Sequence, residues 1–443
     1  MNPQDHDAYK PKKYVQIDNP DWVKNATVYE VNIRQFSAEG TFREIEKQLP
    51  RLKEMGIDII WLMPIHPIGE LNRKGSLGSP YSVKDFKGIN PEFGTEADFR
   101  NLVQAVHRQG MYVILDWVAN HSSLDSNLVA EHPEFYKKSR NGRFRPTPWR
   151  DYDDIIELDY DQPELRKYMT EAMKYWVREF DIDGLRCDMA SFVPRDFWEN
   201  VRTELETLKP VFMLAEAEDR DLHSKAFDAT YNWALWNHLH AIAQGRSNAK
   251  ILAEAYLAEH VSIFPKEGIR LNFIDNHDKN SWEGNSVSNF GNALEAATVF
   301  TVLMDGMPLV YNGQEAGLSR SLKFFDRDPI EWKTHRNSNL YTTLFNLKHR
   351  NRGLWNGRFG GEMERVTNDC MEHIISLVRE KEGDKVLAVF NLSPKKVNVT
   401  LDTSEHAGTY TELFSGSDKI LLKSCHLELE PWGYLVLFRS NLR

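Results

Sequence analysis

Apolar residues follow two alternating spacings over the first three quarters of the chain. Short continuous apolar runs, such as residues 58–64 and 112–118, are typical of strands that are covered on both faces. Between such runs, apolar residues recur at every third or fourth position, as in residues 42–55 and 165–180. The pattern therefore predicts strands and helices in alternation.

The alternation predicts eight strands. We expect them at residues 27–36, 58–64, 112–118, 184–190, 211–218, 227–233, 270–278 and 308–313. We expect helices at about residues 42–55, 95–110, 165–180, 197–208, 251–260 and 292–304, with Pro50 kinking or interrupting the first. Eight βα units in roughly 330 residues is the count for a (β/α)8 TIM barrel. An open doubly wound sheet is the competing architecture, but no glycine-rich phosphate loop follows any strand.

Two parts of the chain depart from this alternation. Residues 122–154 are polar, partly basic and without a period, which indicates a small insertion after the third strand. After about residue 357, alternating strands separated by turn residues predict an antiparallel β-sandwich. We therefore expect a barrel in two parts, residues 1–121 and 155–356, an inserted domain at 122–154, and a C-terminal antiparallel β domain at 357–443.

Composition and charge narrow the class of protein. The chain has 443 residues, is 41% hydrophobic and carries a formal net charge of −10, which argues against nucleic acid or an anionic membrane as the partner. Three cysteines without CxxC spacing exclude a disulfide scaffold and a zinc cluster. No run of membrane-spanning length and no apolar N-terminal signal region are present. We therefore expect a soluble protein, cytoplasmic as it stands and periplasmic or secreted if a leader was removed.

Polar residues lie at the ends of four predicted strands, where a core does not need them. They are Asp116 with Asn120 and His121, Arg186 with Asp188, Glu216, and Asn276 with His277 and Asp278. In a barrel these ends meet at the carboxyl-terminal rim, where active sites lie. Carboxylates gathered in one pocket repel one another and lose solvation, so we expect them to serve a function. Two facing carboxyl groups suit glycoside hydrolysis.

Two alternatives compete with this interpretation. The structural alternative is that Arg186 and Asp188 form a core salt bridge. The functional alternative is a metal-dependent barrel hydrolase that uses His121, His277 and Asp278. It is weaker because neither histidine belongs to an HxH or HExxH pair.

Short motifs in a fixed order carry a family resemblance. Residues 116–121 (DWVANH), 184–190 (GLRCDMA), Glu216 within MLAEA, and 273–278 (FIDNHD) lie at the predicted strand ends. Supporting matches lie at residues 61–69, 79–95, 311–318 and 324–332. From about residue 27 to 335, the chain resembles the α-amylase family of glycoside hydrolases.

The resemblance implies a retaining mechanism. Asp188 would be the nucleophile, Glu216 the acid that protonates the leaving oxygen and later activates water, and Asp278 the residue that holds sugar hydroxyls. Retention predicts that the carboxyl groups of Asp188 and Glu216 lie roughly 5–5.5 Å apart, and nearby carboxylates would raise the pKa of Glu216. Glu218 is the alternative acid. Cys187 points away from Asp188 by strand alternation and is assigned to packing.

The resemblance also implies a set of substrate-binding residues. His121 and His277 would hydrogen-bond the sugar at the cleavage subsite, and Tyr81 would stack on its face. Arg186 would keep Asp188 ionised. The full set that we expect is Tyr81, Asp116, His121, Arg186, Asn276 and His277.

Two positions depart from the family pattern. Many members follow the nucleophile with a Lys-His pair, the lysine binding the aglycone and the histidine helping to hold a structural calcium. This chain has Ser191 and Phe192 there. Asn120 alone is a poor calcium site because calcium takes about six to eight oxygen ligands. We therefore expect no metal at that place and no other cofactor, and a leaving-group side unlike that of typical endo-acting amylases.

The activity that we expect is hydrolysis of α-1,4-glucans such as maltodextrins or starch. An α-glucosidase or an α-glucan transferase of the same family is the alternative, and a catalytically inactive sugar-binding relative is disfavoured because all three acids are present. The insertion is too short to build a tall wall, so we expect an open groove and endo action. Its residues Phe144, Trp149 and Tyr152 either stack on glucose rings or pin the insertion to the barrel.

Overall fold

The computed structural model describes residues 14–147, 152–258 and 263–440. The first ten strands are β1 (Val28–Val31), β2 (Ile59–Leu62), β3 (Tyr112–Val118), β4 (His121–Ser123), β5 (Ile155–Glu157), β6 (Gly184–Asp188), β7 (Phe212–Ala215), β8 (Ala229–Tyr231), β9 (Ile269–Phe273) and β10 (Met307–Tyr311). All of these except β4 and β5 pair in parallel and close into a barrel, in the order β1-β10-β9-β8-β7-β6-β3-β2. The predicted eight-stranded barrel is confirmed.

Helices connect the barrel strands and surround them. The α-helices of the described residues are Ile33–Phe36, Phe42–Met55, Glu96–Arg108, Asn127–Glu131, Pro163–Phe180, Arg195–Glu206, Trp233–Ala243, Ala249–Ile251, Ser286–Phe290, Leu294–Leu303 and Arg336–Arg350. The segments Leu252–Leu257 and Lys279–Glu283 form π-helical turns. None of the helices in these described segments is long and apolar enough to cross a lipid bilayer.

Local signals explain where the early helices begin and end. The Thr95 hydroxyl accepts from the Asp98 backbone N–H at 3.2 Å, and the Asp98 carboxylate accepts from the Thr95 N–H at 3.0 Å, which closes a capping box. Gly56 ends the preceding helix with φ of +95°. That helix runs through Pro50 without a break, so the expected interruption is wrong. Its buried face continues on both sides of the proline, and this packing holds the helix together.

Three predicted elements differ from the structure. The first predicted strand is shorter, because β1 ends at Val31 and Ile33–Phe36 forms a helical turn. The helix after β8 is Trp233–Ala243, where we expected the end of a strand. Its sequence, WALWNHLHAIA, is apolar on most sides and therefore lacks the period on which our prediction depended. Arg336–Arg350, which follows β10, was not predicted at all.

The insertion is bracketed by a small antiparallel sheet. β4 pairs with β5, so the chain leaves the barrel after β3 and returns beside its exit point. The insertion also contacts the long loop after β2: the Asn72 side chain donates to the Asp153 carbonyl at 2.9 Å, and the Ser82 hydroxyl donates to the Asp154 carbonyl at 3.0 Å. These two segments therefore form one continuous wall on the carboxyl-terminal rim.

The C-terminal domain is antiparallel, as predicted. Its strands are β11 (Met363–Arg365), β12 (Ile374–Lys381), β13 (Asp384–Asn391), β14 (Val397–Asp402), β15 (Gly408–Glu412), β16 (Asp418–Leu421), β17 (Ser424–Leu429) and β18 (Tyr434–Arg439). Six form one sheet in the order β11-β12-β13-β18-β15-β16, and β14 pairs with β17. Along β13, Val386, Ala388 and Phe390 join the barrel core, whereas Leu387 and Val389 join a separate core with β14 and β17. One sheet is thus covered on both faces.

Arg379 of β12 ties this domain to the barrel. Its side chain is 3% exposed and donates to the carbonyl oxygens of Gly361 at 3.0 Å, Met304 at 2.9 Å and Trp355 at 2.7 Å. The Asp305 carboxylate lies 3.4 Å away. One guanidinium therefore donates hydrogen bonds to backbone carbonyl groups at the end of a barrel helix and in two turns of the following chain. Water does not reach these carbonyl groups.

Replacing Arg379 with methionine should destabilise the protein. The variant keeps a similar volume but leaves buried carbonyl groups without donors, so we expect the free energy of unfolding to fall by about 3 kcal/mol or more. The matched control is Arg365→Met on the neighbouring strand, because Arg365 is exposed and should change stability by less than about 0.5 kcal/mol. Calorimetry measures both, and equal melting temperatures for the two variants would contradict this role.

Candidate active site

The carboxyl ends of the barrel strands bring the predicted acids together around Arg186. In the register of β3 and β6, Asp116 lies directly beside Arg186. Gly184 begins β6 because a Cβ there would lie 1.9 Å from the Phe212 carbonyl oxygen of β7. The close approach of these strands places three acidic side chains within reach of one guanidinium.

Arg186 is fully buried and contacts all three acids. Its Nη1 donates to Asp116 Oδ1 and to Asp188 Oδ1, both at 2.9 Å. Its Nη2 lies 3.0 Å from Glu216 Oε2. Asp188 is therefore hydrogen-bonded to one terminal nitrogen of Arg186. Glu216 lies in ion-pair contact with the other, which makes no hydrogen bond to the described residues.

Asp116 supports this arrangement from below the cavity. Besides the contact with Arg186, it accepts from Trp61 Nε1 at 3.1 Å and from the Tyr81 hydroxyl at 2.9 Å. It has no exposed surface. Asp116 and Arg186 are absent from the cavity lining, so the structure places these two predicted substrate-binding residues behind the acids. Arg186 contacts Asp188 and Glu216 there, and Asp116 contacts Arg186.

Burial among other carboxyl groups raises the pKa of both Asp188 and Glu216. Burial and the neighbouring Glu216 raise the pKa of Asp188, against the opposing effect of Arg186. Burial also raises the pKa of Glu216, and Asp278 adds to the rise while Arg186 opposes it. The pair therefore retains a proton at a pH where isolated carboxyl groups are ionised.

Asp188 and Glu216 differ in the hydrogen bonds that their carboxylate oxygens make. Within the described chain, the buried Asp188 Oδ2 has no hydrogen-bond partner. Glu216 Oε2 accepts from the Met189 backbone N–H at 2.8 Å, and Met189 adopts the left-handed region with φ of +48°. A strained turn directly after the strand thus directs a donor at Glu216.

His277 is held by a residue that the sequence analysis missed. Its Nδ1 lies 2.5 Å from Oε1 of Glu30, a fully buried glutamate in the middle of β1. Its Nε2 lies 2.9 Å from the Tyr81 hydroxyl and 3.4 Å from Asp278. Burial opposes protonation, but Asp278 and Glu30 outweigh it and raise the pKa of His277 to about 9. His277 is therefore a cation at neutral pH.

His121 is the opposite case. Burial lowers its pKa to about 4, so the ring is neutral at neutral pH. Nδ1 lies 3.3 Å from the Asn120 side-chain nitrogen, whereas the buried Nε2 has no partner among the residues described here. A neutral imidazole nitrogen without a protein partner is suited to a ligand hydroxyl.

These residues face a cavity of about 460 Å³. Six predicted residues besides Glu216 line it: Tyr81, His121, Asp188, Asn276, His277 and Asp278. The Asn276 side-chain oxygen accepts from the Lys279 backbone N–H at 2.7 Å and so caps the next turn. A second cavity, about 560 Å³, lies against Arg350 and Arg439 and contains none of the predicted site residues.

Aromatic rings that were not predicted extend from the cavity to the rim. Tyr81 stacks on His277 at 5.3 Å between ring centroids and on Phe324 at 6.3 Å. Phe324 in turn packs on Trp282 at 5.1 Å, and Trp282 is half-exposed. Phe324 lies within a segment that we noted only for its family resemblance, and Trp282 lies four residues beyond the FIDNHD motif, in the π-helical turn Lys279–Glu283. The proximity of Phe324 to the acids depends on the course of a long loop.

The three aromatic residues of the insertion have different positions. Tyr152 lines the mouth of the cavity. Phe144 packs on Tyr136 at 5.6 Å and is absent from the cavity lining, so it helps to hold the insertion together. Trp149 lies outside the described residues.

Two other residues considered in the sequence lie away from the cavity. Glu218, the alternative acid, accepts from Arg270 at 2.6 Å and from the Ala234 backbone N–H at 3.0 Å, where it caps a helix. Cys187 is fully buried, and burial raises the pKa of its thiol. Neither residue lines the cavity.

The residues around Asn120 do not fit a calcium ion. The Asn120 backbone carbonyl accepts from the Leu158 N–H at 3.1 Å, and its side chain contacts His121. Phe192, where many family members have a histidine, offers no oxygen side chain. Across residues 14–147, 152–258 and 263–440, no group of three or more His, Cys, Asp or Glu side chains is placed to hold a metal ion.

Comparisons with known proteins agree with this geometry. The family model for the α-amylase catalytic domain matches residues 11–153 and 151–353, and that for the α-amylase C-terminal all-β domain matches residues 366–431. A maltogenic α-amylase from Thermotoga neapolitana is 31% identical, with a TM-score of 0.86 over 95% of this chain and 100% of that one. An α-amylase from Lactobacillus plantarum is 30% identical, with a TM-score of 0.83 over 94% and 99%.

A curated relative shows the same similarity in sequence alone. "Alpha-amylase 2" of Dictyoglomus thermophilum is 26% identical over 481 residues, which cover 97% of this chain and 79% of the relative. The catalytic-domain match spans most of the barrel, and the C-terminal match begins shortly after it. This chain therefore belongs to the α-amylase family of glycoside hydrolases.

Proposed function

We propose that this chain is a retaining hydrolase of α-1,4-glucans that acts on maltodextrins and starch. The observation that carries the proposal is the pair Asp188 and Glu216, held at the two terminal nitrogens of Arg186 on the wall of a sugar-sized cavity. The relatives described above are named α-amylases and a maltogenic α-amylase, which supports this substrate class.

Asp188 is the nucleophile in this proposal. Its Oδ1 is held by Arg186, and its unpartnered Oδ2 attacks the anomeric carbon of the bound sugar to form a glycosyl ester. The bond to the leaving oxygen breaks as that oxygen takes a proton. In the second step, deglycosylation, water attacks the same carbon and Asp188 leaves as the carboxylate.

Glu216 moves the proton in both steps. In this proposal Glu216 carries the proton of the pair before the first step, a state that its raised pKa favours, and donates it to the leaving oxygen. The resulting carboxylate then takes a proton from the attacking water. Asp278, His121 and His277 hold hydroxyl groups of the reacting sugar in this proposal, and all three line the cavity. Tyr81 also lines the cavity and contacts the sugar beside them in this proposal.

Product analysis separates the proposed hydrolase from its alternatives. With maltoheptaose as substrate, a hydrolase with an open groove releases oligosaccharides of intermediate length before glucose. An α-glucosidase releases glucose from the first minutes, and a transferase makes products longer than the substrate. Proton NMR of the first products tests retention, which requires the α-anomer. A β-anomeric first product would refute the assignment of Asp188 as nucleophile.

Substituting either acid should remove nearly all activity on maltodextrins. We expect Asp188→Asn and Glu216→Gln to lower kcat on maltodextrins by several orders of magnitude, because each removes the group that attacks or the group that donates the proton. Glu218→Gln is the matched control and should keep kcat within about threefold, since Glu218 caps a helix outside the cavity.

An aryl maltoside distinguishes the two roles. Nitrophenolate leaves without a proton, so Glu216→Gln should still form the glycosyl ester and release a burst of nitrophenolate, whereas Asp188→Asn should give none. Stopped-flow absorbance measures the burst. The same result from both variants would show that the two roles are wrongly assigned.

The pH profile follows from the raised pKa values. Glu216 acts only while protonated, so kcat/KM should fall as pH rises through the pKa of the pair, and the upward shift extends activity to higher pH. Asp188 acts only while ionised, which gives the fall on the acid side. Initial rates across pH test this, and a profile flat on the alkaline side would contradict the role of Glu216.

We also propose that the activity needs no calcium at the usual family position. Because Phe192 and Asn120 form no oxygen cluster there, extensive chelation with EDTA should change neither kcat nor the melting temperature measurably. Calorimetry and initial rates before and after dialysis measure both. A large fall in melting temperature that calcium reverses would contradict this proposal.

A further inference from the structure

Glu30 is an unusual residue for the middle of a barrel strand. Its neighbours Tyr29 and Val31 are apolar or aromatic core residues, whereas Glu30 has no exposed surface and carries an ionisable group. Oε1 lies 2.5 Å from His277 Nδ1, and Oε2 has no partner among the described residues. A buried, half-satisfied carboxylate costs stability, so its retention calls for an explanation.

The directions of the hydrogen bonds around His277 explain why Glu30 is retained. The Tyr81 hydroxyl has one proton, which it donates to Asp116 at 2.9 Å. The same hydroxyl oxygen therefore accepts from His277 Nε2 at 2.9 Å, which requires a proton on Nε2. Nδ1 must also carry a proton to donate to Glu30. With Glu30 ionised, both bonds form together only when the ring is doubly protonated.

We propose that Glu30 is a positioning residue that keeps His277 doubly protonated, so that the Tyr81 hydroxyl remains turned toward Asp116. The chain of contacts then continues from Asp116 to Arg186, which holds Asp188 and Glu216. This inference rests on the proposed function for its kinetic consequence, but not for its structural one.

Taken together, the charged groups that face His277 favour its doubly protonated form. Burial opposes the cation, Asp278 beside His277 and Glu30 on β1 stabilise it, and Arg186 opposes it. Tyr81 contacts it. Burial raises the pKa of Glu30, whereas the His277 cation lowers it. The His277 cation in turn lowers the pKa of Glu216. A neutral His277 therefore leaves Glu216 protonated to higher pH, so activity lost with His277 is not explained by loss of the Glu216 proton.

Glu30→Gln tests the proposal with little change in shape. Glutamine still accepts from Nδ1–H but carries no charge, so we expect the pKa of His277 to fall by about 2–3 units. The matched control is Glu315→Gln. Glu315 is also buried at the barrel, where it accepts from Tyr29 at 2.6 Å and from Arg51 at 3.0 Å, and it is absent from the cavity lining.

The first measurement is independent of activity. In the full chain with 15N-labelled histidine, the His277 signal is identified by its absence in His277→Gln. It should remain that of imidazolium through neutral pH in the wild type and in Glu315→Gln, and titrate at lower pH in Glu30→Gln. A wild-type His277 that titrates near the usual value of about 6.5 would overturn the proposal without any variant.

The second measurement is the pH dependence of the kinetic loss. We expect kcat/KM of Glu30→Gln on maltoheptaose to lie within about threefold of wild type near pH 5 and to be at least tenfold lower near pH 8, where only the variant has a neutral His277. Glu30→Asp, which keeps the charge, should restore part of the activity near pH 8.

Two outcomes would refute this part. An equal loss at both pH values would show that Glu30 has only a structural role, and a pH-dependent loss in Glu315→Gln would show that any buried charge has the effect. If Glu30→Gln does not fold, the wild-type titration and Glu30→Asp decide the question. An inactive wild type with the expected His277 titration would refute the proposed function but not the role of Glu30.

Discussion

The active-site end of the barrel depends on one buried cation. Arg186 has no exposed surface, and three aromatic rings surround its guanidinium: Trp61 at 5.2 Å, Tyr231 at 5.6 Å and Tyr81 at 5.8 Å. Removing a guanidinium from water is costly unless charge-assisted hydrogen bonds replace its hydration. Here Asp116 and Asp188 accept from Nη1, Tyr231 accepts from Nε, and Glu216 lies 3.0 Å from Nη2, which makes no hydrogen bond to the described residues. The acids to which we assign the chemistry are therefore also the groups that make a buried arginine tolerable.

This mutual dependence constrains the geometry of the site. Asp188 and Glu216 lie on different strands, and their spacing would otherwise vary with every loop above the barrel. Because both contact one planar guanidinium, their relative position is set by a group that has few alternative rotamers once it is enclosed. Asp116, held by Trp61 and Tyr81, prevents the guanidinium from turning. Transition-state geometry is thereby fixed by the barrel itself.

The sequence was sufficient for the parts that follow from burial and parallel topology. Strands buried on both faces appear as continuous apolar runs, and a polar residue at the end of such a run lies on the rim, which located Asp188 and Glu216. Glu30 was missed because it lies in mid-strand and belongs to no motif. The helix Trp233–Ala243 was missed because it is apolar on most sides. Trp282 lies in the π-helical turn Lys279–Glu283, which no spacing of apolar residues predicts.

The negative net charge of the site suits the reaction that we propose. Around Asp188, the carboxyl groups of Glu216, Asp278, Asp116 and Glu30 outnumber the cations Arg186 and His277. Glucans are neutral, so this excess contributes little to binding the substrate in its ground state. An oxocarbenium-like transition state is positive, and it alone gains from the surrounding negative potential. A site that is costly to fold because like charges are buried together is thus stabilised at the moment when positive charge develops, which is where binding energy accelerates a reaction.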